Sequence, residues 1–352
     1  MTISRRKNML RAVRFERPDY IPVQFHINAA CWFQYPHEAL YELMAAHPLL
    51  FPSFSAENPP APPTPPPWQQ AGVRYTDPWG CVWETGTTGL TGRVVEPALP
   101  TWDAFEDYEP PDPAQSSGLQ PIDWNEIAAH VAEDKAAERL ARGGLRHGHT
   151  FLTLSDIRGY ENLIYDMADE RPELNRLIDM VEGFNLGIVE RYLACGVEYM
   201  AYPEDLGMQM GPMISPVHFR EYIKPVYERL MAPARDAGCI IHMHSDGDIR
   251  SLVDDLVSSG VQVLNLQDLV NGLDWIESRL KGRVCIDLDI DRQQITRFGT
   301  PAQIDALIRE EVSQLGSPEG GLMMIHGMYP GVPLENARAL MDAMERYATY
   351  YA

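Results

Sequence analysis

The sequence predicts an α/β fold of the (β/α)8 TIM-barrel kind, and three observations carry that expectation. From Trp124 onward short apolar runs alternate with helical stretches, the signature of parallel strands joined by crossover helices. Counted with two runs nearer the start, they come to about eight, the barrel number. Nearly every run also closes on an acid, a histidine or an amide, as the strand mouths of barrel enzymes do. An open doubly wound sheet is the competing architecture, but no glycine-rich dinucleotide loop follows the first run.

Each element has its own justification. Residues 4–15 read as a short amphipathic helix, and Pro18 and Pro22 then bracket an extended run over 20–26. A helix is expected over 37–47 and a strand near 49–54. Residues 52–113 differ in kind: the run Pro59-Pro-Ala-Pro-Pro-Thr-Pro-Pro-Pro67 forbids regular helix or sheet, while 77–84 alternates like a hairpin. This stretch is expected to be a proline-rich excursion that folds back over part of the mouth, with a plain surface loop as the equal alternative. The regular strands are expected at 149–154, 197–202, 239–244, 261–266, 283–288 and 321–326, with helices over 172–193, 216–237, 249–258 and 301–315. Ser215-Pro216 and Thr300-Pro301 place a capping side chain before a first-turn proline. The whole of 1–352 is expected to be one domain.

Composition narrows the class of function. At 45% hydrophobic and 22% charged the chain is an ordinary globular sequence. A net charge of -21 would repel a nucleic-acid backbone or an anionic membrane. Neither a secretory apolar stretch nor a bilayer-length run is present, so a cytoplasmic location is expected. The five cysteines, Cys31, Cys81, Cys195, Cys239 and Cys285, are scattered and form no CxxC pair, which suits reduced, mostly buried thiols.

The candidate site residues are those at the expected strand ends. His242-Met-His-Ser-Asp-Gly-Asp248 is the densest cluster: His242, His244 and Asp246 share one strand face, and Gly247 permits a sharp turn. Two imidazoles and a carboxylate there suit a divalent metal such as zinc, and equally suit binding of a substrate carboxylate or proton transfer. Glu204 and Asp205 are adjacent, so one of them is expected to face the mouth and the other to serve as a cap or ion-pair partner. Asp287, Asp289 and Asp291 alternate and need a compensating cation, for which Arg292 or a metal is available. Catalytic candidates are thus Glu204, Asp205, Asp287 and His242. Candidate substrate contacts are His26, Asn28, Arg158, Gln209, Gln267, Asp289 and Tyr329.

These residues also resemble a family. The opening from Arg5 to Val23, the segment Glu204-Asp-Leu-Gly with Gly211-Pro-Met-Ile-Ser-Pro and Phe219 to Pro225, the run His244-Ser-Asp-Gly-Asp-Ile-Arg, and the closing His326-Gly-Met-Tyr-Pro-Gly-Val-Pro-Leu-Glu-Asn336 are similar to the uroporphyrinogen decarboxylase superfamily. That resemblance implies a barrel enzyme of one of two groups. True decarboxylases use an arginine-rich N-terminal segment, and the corresponding stretch here, Phe25-His-Ile-Asn-Ala-Ala-Cys-Trp, has none. The corrinoid-dependent methyltransferases hold zinc by a His-x-Cys element and a later cysteine. Those positions align here with His244, Asp246 and His326, and Glu204 is a further option.

A site without thiolates suits an oxygen-linked methyl donor better than a thiol substrate. The expectation is therefore an O-demethylating methyltransferase with zinc on His244, Asp246 and His326. Its cobalamin would ride on a separate corrinoid protein, since no Asp-x-His-x-x-Gly signature is present. A small molecule, that corrinoid protein and optionally a second copy of the chain are the expected partners. A metal-free lyase or decarboxylase using histidine and aspartate as acid and base is the alternative, and a non-catalytic binding protein is the third.

Overall fold

The computed structural model describes residues 4–352. The chain divides into two compact units, each assembled from separated stretches. Among the described residues the first comprises 4–73, 84–92 and 266–352, and the second 74–83 and 93–265. In chain order the parallel strands are β1 (Val23–Ile27), β2 (Arg142–Gly144), β3 (Tyr199–Pro203), β4 (Ile240–Ser245), β5 (Val263–Gln267), β6 (Cys285–Asp289) and β7 (Leu322–Met328). In the first unit β7 lies between β1 and β6, with Phe25 opposite His326 and Asp287 opposite Met323. In the second, β3 lies between β2 and β4, with Gly143 opposite Met200 and Pro203 opposite His244. The division falls inside β5, after Asn265.

Seven strands of this kind are described, and two expected ones are not among them. Leu49 to Phe54 is turn and loop. Residues 149–154 enter a helix, Phe151–Arg158, and the strand lies earlier, at β2. The apolar content of 149–154 fits either element; Phe151, Leu154 and Ile157 fall at helical spacing and are fully buried. Packing excludes a side chain at Gly143 and leaves little room for one at Gly144. A Cβ on Gly143 would stand 2.6 Å from the Tyr192 ring, and one on Gly144 would stand 3.2 Å from the Ala201 side chain.

Strand β4 shows how burial sorts the side chains. Ile241, Met243 and Ser245 are buried on one face, while His242 and His244 are half-buried on the other, as the two-residue period requires. The long helix Pro172–Cys195 turns Leu174, Leu177, Ile178, Val181 and Ile188 inward and stops at Gly196 with φ of 82°. Both expected caps are present. Ser215 Oγ accepts from the His218 N–H, and Thr300 forms a reciprocal capping box with Gln303. Pro225 has no N–H to give to the Glu221 carbonyl, and a π turn, Phe219–Ile223, sits at that interruption before the helix Lys224–Asp236.

The proline-rich stretch is ordered by local contacts. In the second unit Tyr75 and Thr76 pair antiparallel with Trp83 and Val82, as the alternation over 77–84 suggests. The Asp77 carboxylate accepts from the Trp79 and Cys81 backbone N–H groups and from Trp83 Nε1. Among the described residues no helix is long and apolar enough to cross a membrane.

Candidate functional site

The second unit brings three strand ends together. Beyond β2 the chain runs through Arg146 and His147, beyond β3 through Glu204 and Asp205, and beyond His244 of β4 through Ser245 and Asp246. Asp205 Oδ1 lies 3.3 Å from His147 Nε2 and 3.5 Å from His244 Nε2. These three ligand atoms all lie within 4.8 Å of one another, and the two imidazole rings are 5.6 Å apart. Asp246 Oδ1 stands 3.7 Å from the same His244 nitrogen. Asp205 also accepts the Asp246 backbone N–H at 3.0 Å, which ties the two loops together.

The other nitrogen of His244 sets its chemistry. Nδ1 meets Asn265 Oδ1 at 2.5 Å; an amide oxygen only accepts, so Nδ1 carries a proton, and in the neutral ring Nε2 presents a lone pair. That lone pair faces a carboxylate oxygen, and two acceptors at such a distance need a proton or a cation between them. Burial alone would raise the pKa of Asp205, but the hydrogen bonds and charges of His147 and His244 outweigh it and hold this carboxyl far below its usual range. Asp205 is therefore a fixed anion at neutral pH.

The donor set fits a divalent cation. Bonds of about 2.0–2.1 Å in a tetrahedral zinc site put neighbouring ligand atoms about 3.3–3.4 Å apart, close to the two contacts Asp205 makes. The contact from Nδ1 to Asn265 is also the usual outer-sphere restraint on a metal-binding histidine. His147, Asp205 and His244 are thus the residues that could hold a metal, with Asp246 beside them.

Glu204 has a different task. It is fully buried: Oε1 accepts the Thr150 and Leu152 N–H groups at 2.9 Å, and Oε2 accepts from the Tyr227 hydroxyl. It thereby caps the helix Phe151–Arg158, and burial lifts its pKa to about 7. The neighbouring His149 is also sealed in; its Nδ1 bonds Thr150 Oγ1 at 2.6 Å, and burial lowers its pKa to about 3. Of the two adjacent acids, Asp205 joins the histidines and Glu204 is the cap.

Several of the other expected residues stand outside the His147–Asp205–His244 trio. His242 shares the face of His244, as expected, and its ring packs 5.5 Å from Tyr199 without joining the converging group. Gln209 is exposed on the loop after β3. Arg158, expected to contact substrate, is buried and committed: Nε donates to Asp166 at 2.8 Å, Nη1 donates to the Leu99 carbonyl, and the guanidinium lies 3.9 Å over the Trp102 ring.

In the first unit His326 is buried, donates through Nδ1 to the Ile290 carbonyl at 3.2 Å, and packs 5.2 Å from Phe25. Burial lowers its pKa to about 3, and it joins no converging ligand group among the described residues. Asp287 and Asp289 are both buried, and Arg292 compensates Asp289 at 2.8 Å, as the alternating acids led us to expect. Tyr329 lies under Arg292, Gln267 is buried, His26 is exposed, and Asn28 accepts the Ala30 N–H to cap a short 3₁₀ turn.

Two residues of the cluster escaped the sequence reading. His147 lies just before the strand expected over 149–154, whose residues enter the helix Phe151–Arg158, and nothing in the sequence reading singled it out. Asn265 was read as one member of an apolar run, although a lone amide there was a usable signal.

Known proteins place this geometry in context. A solved methyltransferase from Methanosarcina mazei superposes over 99% of this chain and all of its own, with a TM-score of 0.67 at 17% identity, so the two share a fold. Uroporphyrinogen decarboxylase from Pongo abelii is 23% identical over 164 residues, which span 44% of this chain and 42% of that enzyme. The Gloeobacter violaceus enzyme of that name is 25% identical over 271 residues, 73% of this chain and 72% of its own. The uroporphyrinogen decarboxylase (URO-D) family profile matches residues 80–347, a span that takes in β2 through β7 and the whole His147–Asp205–His244 group. By that match the chain belongs to the uroporphyrinogen decarboxylase family.

Proposed function

We propose that this chain is a methyl-transferring member of its family: it takes the methyl group from a small O-methyl substrate for a corrinoid carried by a separate protein, with a divalent cation on His147, Asp205 and His244. One observation carries the reading. Both imidazole nitrogens lie 3.3 and 3.5 Å from one Asp205 oxygen, all three atoms within 4.8 Å of one another, while Asn265 holds the proton of His244 on the far side of its ring. The fold shared with a methyltransferase supports the reaction class. A donor set of nitrogen and oxygen, with no thiolate, favours an oxygen-linked methyl group over a thiol substrate.

When bound, zinc would serve as a Lewis acid toward the oxygen that loses its methyl group. The chain's own residues do the rest. Asp205, held ionised, keeps His147 and His244 in register. Asn265 fixes the tautomer. Asp246, about one-third exposed, adds a carboxylate oxygen 3.7 Å from His244 Nε2.

The same contacts favour one other reading. A proton in place of the cation would make His244 an imidazolium paired with Asp205, the acid–base couple of a metal-free decarboxylase or lyase. Elemental analysis of the purified, untagged protein separates the two. About one zinc per chain, lost in His147→Ala and in His244→Ala, supports methyl transfer and leads to assays with methoxylated aromatics and a corrinoid protein. No metal after incubation with zinc and other divalent ions sinks the metal-assisted mechanism in favour of the acid–base one.

A further inference from the structure

The three members of the converging group are held in different ways. His244 is 18% exposed and is pinned from behind by Asn265, and Asp205 accepts the Asp246 N–H. The His147 side chain is 50% exposed, so packing does little to orient its ring. What holds it in place lies in the residues on either side.

Arg146 and Gly148 flank His147, and both are tied to one hydroxyl. Arg146 Nη2 donates to Thr153 Oγ1 at 2.9 Å, and the same hydroxyl donates to the Gly148 carbonyl at 2.6 Å. Thr153 is 1% exposed within the helix Phe151–Arg158, so the hydroxyl is a firm anchor. Arg146 Nη2 also meets Asp156 Oδ2 at 3.1 Å, three residues further along that helix, and Nη1 reaches the Gly118 carbonyl at 3.4 Å. On the other side of the histidine the Gly148 N–H donates to the Pro203 carbonyl at 2.9 Å, two residues before Asp205.

Energetics separate support from positioning. The Arg146 side chain is 7% exposed, and a buried ion pair regains in Coulomb attraction little more than it loses in desolvation. The pair with Asp156 is therefore a weak source of stability. Its directional effect is stronger: a guanidinium is a planar fork, and acceptors at Thr153, Asp156 and Gly118 fix the orientation of that fork and of the backbone it leaves from.

We propose that Arg146 and Thr153 are positioning residues, whose bonds to each other and to Gly148 form a bracket that aims the His147 imidazole at Asp205 and His244. This deepens the metal-assisted reading above and rests on it. Neither residue touches the cation or the substrate; both act through the ligand between them.

The test begins with Thr153→Val, which keeps the branched shape and removes the hydroxyl, so that both bonds part. Zinc affinity, read by competition with a chromophoric chelator, should fall roughly 10-fold, and Thr153→Ser should restore it. Arg146→Met with Asp156→Leu opens the bracket from the other side without stranding a charge, and should lose about as much. It also serves if the valine variant does not fold. Arg158→Met with Asp166→Leu is the control, because it removes a second buried arginine–aspartate pair, 2.8 Å long, at the far end of the same helix. That double variant should bind zinc as the natural chain does.

Natural zinc affinity in folded Thr153→Val, or in folded Arg146→Met with Asp156→Leu, would overturn the bracket. So would an equal loss in the control pair, which would make the effect one of general stability. A natural chain that binds no divalent ion would sink the metal reading by itself, and the bracket is then read without metal. Hydrogen exchange at the Gly148 N–H should quicken several-fold in Thr153→Val and stay natural in the control pair. Unchanged exchange in Thr153→Val would refute the bracket whatever the fate of the metal.

Discussion

His244 points Nδ1 at Asn265 Oδ1, 2.5 Å away, and this one contact fixes what its other nitrogen can do. An imidazole whose Nδ1 proton is engaged offers Nε2 as a lone pair toward Asp205, the arrangement a metal ion needs and a bare protein tolerates poorly. Removing the amide oxygen frees the ring to turn or to change tautomer. Asn265→Leu should therefore weaken zinc binding about 10–100-fold, while Asn265→Asp, which still accepts, should come close to the natural chain. Competition with a chromophoric chelator measures both. Equal affinity in Asn265→Leu would mean that the ring is not held from behind.

Gly247 and Gly207 press backbone to backbone where the Asp205 and His244 loops meet. A Cβ on Gly247 would fall 2.2 Å from the Gly207 carbonyl carbon, and Gly247 has φ of 80°. Gly72 has the same φ with nothing within 4 Å of its would-be Cβ, so it reports the conformational strain alone. Gly72→Ala should cost about 1 kcal/mol in urea unfolding. Gly247→Ala should cost several times more and should weaken zinc binding, because the cross-bonds Gly207 N–H to Asp246 O and Asp248 N–H to Met208 O would part. Matching losses for the two variants would show that the close approach is not needed.

How much of this was legible in the sequence differs by residue. His244 and Asp246 could be found because a histidine pair, an acid and a glycine follow a strong β-branched run, and both caps at Ser215 and Thr300 followed from local chemistry. His147 could not be found by the same route. The strand before it is three residues long, and two of them are glycines packed closely against Tyr192 and Ala201, so the apolar signal that marks a strand is missing. The stronger signal just after it, over 149–154, belongs to the helix Phe151–Arg158, so nothing local marks His147 as following a strand. Asp205 was chosen over Glu204 by tertiary context alone: the pair is adjacent in sequence, and only the position of the Thr150 and Leu152 amides decides which carboxylate becomes a cap.

Glu204 therefore makes a sharp test of site against support. Glu204→Gln keeps an acceptor for the Thr150 and Leu152 N–H groups, and the Tyr227 hydroxyl can turn to accept from the new amide. Glu204→Ala leaves all three donors buried and unpaired. At roughly 1–3 kcal/mol for each unsatisfied group, the alanine variant should lose about 3–5 kcal/mol in urea unfolding, and the glutamine variant much less. Zinc affinity of Glu204→Gln should stay near that of the natural chain. Large loss of zinc in the glutamine variant, with stability intact, would move Glu204 from the cap into the site.

Arg158 inverts an expectation in an informative way. At a strand mouth an arginine is a natural hand for a substrate anion, and the sequence put it there; the helix that replaced the strand turned it inward. Its guanidinium now stacks on Trp102, whose Nε1 shares the Asp166 carboxylate with it. Arg158→Ala should cost about 3–5 kcal/mol, because it strands a buried carboxylate rather than because the pair is worth that much. Arg158→Met with Asp166→Leu removes both charges and should recover most of the loss in a double-mutant cycle. Turnover of any substrate found for the folded double variant should show an unchanged KM, since the buried guanidinium is committed to Asp166, the Leu99 carbonyl and the Trp102 ring. A raised KM in a fully folded double variant would return Arg158 to the substrate.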